Sequence, residues 1–250
     1  MTTRDAAART PDDVVVQAAG AADLAGLDAA VADCFACPRL VAWRAEVAVV
    51  KRASFRDQVY WGRPIPGFGE ADAEIAILGL APAAHGGNRT GRIFTGDRSG
   101  DVLFDALYRA GLANQPTSVA VDDGLALRHT RIFAAVRCAP PDNKPLPVER
   151  DTCAPWLHRE LQLIAPTLKV VVALGAFAWA AWWPAMTAVY GRKAPVPRPR
   201  FGHGAEVSVP GTPDLLGCFH VSQQNTFTGR LTPVMLDAVF ARAKDLAGLA

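Results

Sequence analysis

No apolar run in the chain approaches the length of a membrane span, so an integral membrane helix is not expected. Charge of either sign is nearly balanced: 26 Lys and Arg stand against 24 Asp and Glu, a net +2. A balance that small gives no bulk argument for nucleic acid, and any DNA-binding face has to be local. The opening residues, MTTRDAAARTPDD, contain acids and no hydrophobic core, so they do not read as a secretory signal, and a cytoplasmic protein is expected. There is no internal repeat, and no Gly-x-Gly-x-x-Gly in register after the first strand, which counts against a dinucleotide cofactor. Cysteines number only five. In a reducing compartment disulfides are not expected, so a close pair of cysteines points to metal or redox chemistry.

Half of the 250 residues are hydrophobic, enough for a globular domain with a full core. Residues 1–20 read as a polar, Ala-rich disordered tail and 21–250 as a single domain. Helical spacing covers 23–33, and Pro38 suits the first position of a second helix running to about Arg52. The stretch Tyr60–Gly69 holds two prolines and three glycines and reads as a loop packed by its aromatics. From there strands and helices alternate: strand 73–78, helix 99–112, strand 131–137, helix 148–164, strand 168–174, helix 175–189, a basic proline-rich loop at 191–204, a strand at 205–209, strand 215–221 and a helix at 232–246. Such alternation predicts an α/β fold, a parallel sheet with helices on both faces. In that architecture the loops leaving the carboxyl ends of the strands share one edge and bind the ligand. Here those loops are Gly79–Gly96, Ala139–Pro147 and Ser222–Arg230. The first is unusually long and glycine-rich, with Ile93 and Phe94 inside it, which suggests a packed, functional loop.

Cys34-x-x-Cys37 lies just before a helix, Cys138 ends a strand, and Cys153 follows 15 positions later. Two thiolates from one turn and two from distant segments suit a tetrahedral metal site or a [4Fe–4S] cluster, and the spacing does not separate zinc from iron–sulfur. Cys218, inside an apolar strand, reads as a core residue.

Five motifs in order carry a family resemblance. They are Cys-x2-Cys-Pro-x-Leu at 34–40, Trp61-Gly62-Arg63-Pro64-x-Pro66-Gly67-Phe68-Gly69, the whole stretch Gly79–Leu103, Cys138-Ala139-Pro140-Pro141-x-Asn143-Lys144-Pro145, and His220-Val221-Ser222-Gln223-Gln224-Asn225-x-x-Thr228-Gly229-Arg230-Leu231-Thr232. Together, over roughly residues 30–245, they resemble the uracil-DNA glycosylase superfamily, and more closely its iron–sulfur type-b (family 5) branch. The resemblance implies a three-layer α/β/α fold with a four-stranded parallel sheet. It implies a [4Fe–4S] cluster on Cys34, Cys37, Cys138 and Cys153, and excision of uracil from DNA with tolerance for other deaminated bases such as hypoxanthine. The partner implied is DNA carrying those bases, gripped by a monomer.

A glycosylase must extrude the base, hold it and break the N-glycosidic bond while charge develops on base and sugar. Phe94 is the candidate stacking platform, with core packing as its plain alternative. The backbone of Gly79, Leu80 and Ala81 would approach the base closely. Asn143 either reads the base edge or forms an Asx turn before Lys144-Pro145. His220, at a strand end, is the candidate donor to the developing oxyanion, and Asn225 a partner of base or DNA. Ser222, Thr228 and Arg230 are candidate phosphate or groove contacts. Two departures matter. The best-known branch has an aspartate, taken to position the attacking water, where this chain has Ala81. The other iron–sulfur branch has a base-reading asparagine where this chain has Ala134. Asp97 is therefore expected to take the electrostatic or water-orienting task, with helix capping as its competing role. Two other classes stay open: a nucleic-acid-binding protein with a four-cysteine metal site and no catalysis, and an electron-transfer protein.

Overall fold

The computed structural model describes residues 7–249. The sheet has six strands in the order β1-β3-β2-β4-β6-β5. Its centre is the four-stranded parallel set: β2 (Ile75–Gly79), β3 (Thr130–Ala134), β4 (Val170–Leu174) and β6 (Asp214–Cys218). Register runs from Ile75 opposite both Thr130 and Val170, and from Val170 opposite Asp214. Two two-residue antiparallel strands, β1 (Phe68–Gly69) on β3 and β5 (Glu206–Val207) on β6, widen the expected four strands to six. Pieces that short cap the edges of the sheet without offering a ladder to another chain.

The strands sort their side chains by alternation. Ile75, Ile77, Ile132, Val170 and Val172 face one core, where α5 (Arg98–Arg109) contributes Leu103, Phe104 and Leu107, and α9 (Pro233–Ala247) contributes Leu236, Val239 and Phe240. Ala76, Leu78, Phe133, Val171 and Ala173 face the other. There α6 (Pro147–Ile164) supplies Leu157, Leu161 and Ile164, and α7 (Ala176–Tyr190) supplies Trp179, Trp182 and Trp183. Period-2 alternation with both faces apolar is what burial on two sides requires. Chain order across the centre reverses between β2 and β4, which places the crevice for a ligand at their carboxyl ends.

The reading of residues 1–20 as a disordered tail is corrected for residues 7–20; residues 1–6 lie outside the described residues. Pro11–Gly20 is a helix, α1. Thr10 and Asp13 close a capping box at its start, with Pro11 in the first turn. Val14 and Ala18, four apart, bury against Trp156 and Cys153 of α6 together with Leu27 and Val31 of α2 (Leu24–Ala32). An Ala-rich composition concealed a short amphipathic helix. After α2 comes α3 (Pro38–Val50), whose N-cap is Cys37. No described helix is long and apolar enough to cross a membrane.

Candidate active site

The glycine-rich loop is packed. It contains one helical turn, α4 (Gly87–Thr90), and two arginines that sew it together. Arg89 donates to the carbonyls of His85 and Gly96 and lies over the Phe55 ring. Arg92 is buried, pairs with Asp123 at 2.7 Å and donates to Thr95 and Ser118. The Tyr60–Gly69 loop docks on it: Trp61 and Gly62 donate backbone N–H groups to Arg89 and Asn88. Such a network explains how so long a loop holds one shape, since its buried guanidinium groups are all engaged by carbonyls, hydroxyls or a carboxylate.

Phe94 sits in this loop with φ +52°, a left-handed conformation that costs a bulky residue about 1–3 kcal/mol. The strain buys placement: its ring lies against Gly79 and 6.1 Å from the His220 ring, tilted 40°. Phe94 packs into the core beneath the loop, the plain alternative for it, with its ring beside His220. Gly79 and Leu80 accept through their carbonyls from Ala135 and Val136, which continue β3 beyond the sheet. Among the described residues the N–H groups of Leu80 and Ala81 have no backbone partner.

Asp97 caps α5. Its Oδ1 accepts from Gly100 N–H at 3.0 Å, so the capping role is real. The other carboxylate oxygen lies on Gly86, where an added Cβ would come within 1.8 Å of it. Gly100 is likewise required: a Cβ there would meet the Phe94 carbonyl at 1.8 Å. Burial pushes the Asp97 carboxyl above its usual range, against the lowering pull of the Gly100 and Ser99 N–H groups. A broad groove of about 990 Å³ runs past it, lined also by Asn143, Ser222, His85 and Arg52. Three loops from three strand ends thus converge, as the fold requires. Asn143 makes no Asx turn; its backbone is left-handed (φ +54°) and its side chain stands exposed on the groove wall.

The last loop forms α8 (Gln223–Phe227). Ser222 is its N-cap position with the hydroxyl free of any cap bond. Burial lowers the His220 pKa, which favours the neutral imidazole. Asn225 does not face the groove as a free amide: its Nδ2 donates to the His220 carbonyl at 2.8 Å. It therefore positions His220 rather than reaching the base through that nitrogen. The Thr228 hydroxyl donates to the Gln224 carbonyl at 2.6 Å, which leaves it only as an acceptor. Arg230 lies over the Phe219 ring at 4.7 Å and is exposed. Two residues escaped the sequence reading. Phe227 is 70% exposed at the tip of α8, an apolar side chain with nothing to bury it. His85, bonded to the Tyr60 hydroxyl at 3.0 Å, lines the groove between Arg52 and Arg89; burial and those two cations lower its pKa. The signal for His85 was its place in the glycine-rich loop; Phe227 carried none beyond an aromatic amid polar residues.

On the far side of the Gly79–Ala81 backbone, Cys34, Cys37, Cys138 and Cys153 line one small cavity. The Arg44 guanidinium donates to Cys138 Sγ at 2.9 Å and the Arg137 backbone N–H to Cys153 Sγ at 3.3 Å. Burial, then the neighbouring Cys138 and Cys34, push the Cys37 thiol up to about 12, and burial takes Cys138 to about 11. Thiolates there need a cationic partner. Arg44 is itself buried and has no carboxylate, while Arg137 Nε and Nη1 lack partners among the described residues. Among the described residues no three His, Cys, Asp or Glu are gathered closely enough for a single metal ion. Cys218 is buried in β6, as expected of a core thiol.

The sheet reverses between β2 and β4, Phe94 lies beside His220 near the carboxyl ends of those strands, and Asp97 lines the adjoining groove. The chain belongs to the uracil-DNA glycosylase superfamily, whose family model matches residues 66–244. Within it, the chain is 56% identical over 232 residues to the type-5 uracil-DNA glycosylase of Mycobacterium tuberculosis, covering 93% of this chain and 85% of that one. The type-5 enzyme of Thermus thermophilus is 52% identical over 217 residues, 86% of this chain and 94% of its own. A type-4 uracil-DNA glycosylase from Archaeoglobus fulgidus is similar over only 46% of this chain, at 31% identity.

Proposed function

We propose that the protein excises uracil from DNA by hydrolysing the N-glycosidic bond, the first step of base excision repair. The observation that supports this most is the Phe94–His220 pair beside Gly79, with Asp97 in the adjoining groove. An extruded base stacks on Phe94 and lays its edge along the N–H groups of Leu80 and Ala81 and the Asn143 amide. As the bond to the sugar breaks, its electron pair goes to the base, and neutral His220 donates a hydrogen bond to the base oxygen that gains charge. The Asp97 carboxylate stabilises the cationic sugar and orients the water that adds to it; its raised pKa makes it a better proton acceptor than an exposed aspartate. Ser222 and Arg230 hold the backbone, and Phe227 fills the space the base leaves in the duplex.

Ala134 stands where the other iron–sulfur branch has a base-reading asparagine, and without that amide the pocket is less selective and also admits hypoxanthine. For the four cysteines the residues fit an iron–sulfur cluster. Thiols that share a cavity without converging on one point suit a body of several atoms better than one ion, and the Arg44 guanidinium needs an anion beside it. A bound [4Fe–4S] cluster supplies a covalent tie between the Cys34–Cys37 turn, the extension of β3 and α6. The protein acts as a cytoplasmic monomer, and its glycosylase domain takes in α1 together with the expected residues from 21 onward.

The test is one incubation. Duplexes carrying uracil, hypoxanthine or only normal bases are treated with the protein and then with alkali. Strand breaks at uracil and hypoxanthine are expected. Binding without breakage would overturn the reading in favour of a non-catalytic damage-binding protein. Absorption near 400 nm from the same sample, expected of a cluster, separates iron–sulfur from zinc.

A further inference from the structure

The segment Gly191–Ala205 reads GRKAPVPRPRFGHGA: four Lys or Arg and no acid. Subtracting those four charges from the +2 of the whole chain leaves −2 for everything else. Arg192, Lys193, Arg198 and Arg200 are all exposed, and none has an ion pair among the described residues. The nearest acid along the chain, Glu206, is held by Arg242 at 2.8 Å. Four cations left free on a chain otherwise net acidic call for an anionic partner.

The segment is also fixed in place. Prolines at 195, 197 and 199 restrict its backbone before anything binds. Thr187 donates to the Arg192 carbonyl at 3.0 Å, and Trp179 Nε1 to the Pro199 carbonyl at 3.0 Å. Its two ends lie at opposite edges of the sheet. The Arg192 guanidinium lies beside Gly211, in the loop that enters β6. Phe201 and His203 pack on the Phe219 ring at 6.1 and 5.0 Å, and His203 Nδ1 accepts the Phe219 N–H at 3.1 Å. Phe219 immediately precedes His220 and is the same ring that carries Arg230. The five residues of β6, roughly 16 Å at 3.3 Å each, separate the two ends.

We propose that Arg198 and Arg200, together with Arg230, form a second phosphate-gripping rim that holds the DNA backbone flanking the extruded nucleotide, while Arg192 and Lys193 lie too far down the side of the sheet to take part. The inference rests on the reading of the ligand edge as the DNA site. Aromatic packing on Phe219 couples the rim to the loop that carries His220, so a duplex seated on Arg198 and Arg200 bears on the same platform as one seated on Arg230. Contacts of this kind position DNA and carry no sequence or base information.

The test measures equilibrium binding of the full-length protein to uracil-containing and undamaged duplexes between 50 and 300 mM salt. Each lost phosphate contact lowers the log–log salt slope by about 0.9. R198A/R200A should therefore flatten the slope by about 1.8 and weaken binding by up to about 60-fold at 0.1 M salt, equally for both duplexes. R198K/R200K should restore most of the slope, and R192A/K193A should leave it as in the wild type. An unchanged slope in R198A/R200A, or an equal loss in R192A/K193A, overturns the proposal. If the wild type excises uracil and the slopes match, only the rim is wrong. If the wild type releases no base, the excision reading fails, and the slopes still decide whether this rim grips DNA.

Discussion

Asp97 caps α5 in the structure and carries the electrostatic role in the proposed reaction, and one substitution separates the two. Asn is as good an N-cap as Asp, so Asp97→Asn keeps the bond from Gly100 and the start of α5. The charge disappears. A carboxylate about 4 Å from a unit cationic centre contributes about 4 kcal/mol at an effective dielectric constant of 20, which corresponds to roughly a thousandfold in rate. Stability moves the other way. The folded-state pKa of Asp97 is raised, so the ionised form is the one folding disfavours. The neutral carboxyl favours the fold below the ordinary carboxylate pKa, and that advantage is lost as pH rises through the raised one. At pH 7 the asparagine variant escapes the burial penalty and melts at the wild-type temperature or slightly above it. Asp97→Ala, by contrast, loses the cap and about 1 kcal/mol. Single-turnover excision of uracil from a duplex, with a thermal melt on the same preparation, reads both effects. Wild-type excision should rise with pH through an apparent pKa above that of an exposed aspartate, and the asparagine variant should lack that limb. Undiminished single-turnover excision by Asp97→Asn would refute the electrostatic role and leave Asp97 a helix cap alone.

Three further outcomes follow. Phe227→Ala removes an exposed apolar side chain, so melting should not change while excision from duplex slows more than excision from single strands; equal slowing on both would deny Phe227 a role in the duplex. Asn225→Ala breaks the bond to the His220 carbonyl, and it should lower the single-turnover rate with little change in DNA affinity, the opposite split from a lost phosphate contact. Arg44→Met leaves the cysteine cavity without its guanidinium, and the 400 nm absorption should bleach faster under a chelator; bleaching at the wild-type rate would show that the cation does not stabilise the cluster.

The parallel sheet was legible because β2, β3, β4 and β6 are short β-branched or apolar runs set between helical stretches, a pattern burial on both faces enforces. What the sequence hid were elements too short to show a period. β1 and β5 are two residues each, and α1 owes its existence to Thr10, Asp13 and a pair of buried side chains rather than to composition. At the site, types and neighbourhoods could be read, but hydrogen bonds could not. Nothing in the motif told that the Asn225 amide turns back to His220, or that the Thr228 hydroxyl is engaged by its own helix. Asp97 was readable as a choice between two roles because a carboxylate before Ser99 fits a cap as well as a site. The structure shows the cap, with one oxygen on the helix, and leaves the other oxygen over Gly86.

That division accounts for Ala81. Its methyl packs against Leu40, Val136 and Cys138, an apolar wall that also lines the cysteine cavity. A carboxylate there would lose water on one side and meet thiolate sulfur on the other, and either effect opposes its ionisation. The acid cannot profitably occupy that position while the cysteine site stands behind it. Asp97 reaches the groove from the opposite end of the same loop, where two backbone N–H groups of α5 stabilise its charge and glycine at 86 makes room for the free oxygen. Ala81→Asp in this protein should consequently fail to rescue Asp97→Asn, and rescue of excision by that double substitution would show that the apolar wall is no obstacle.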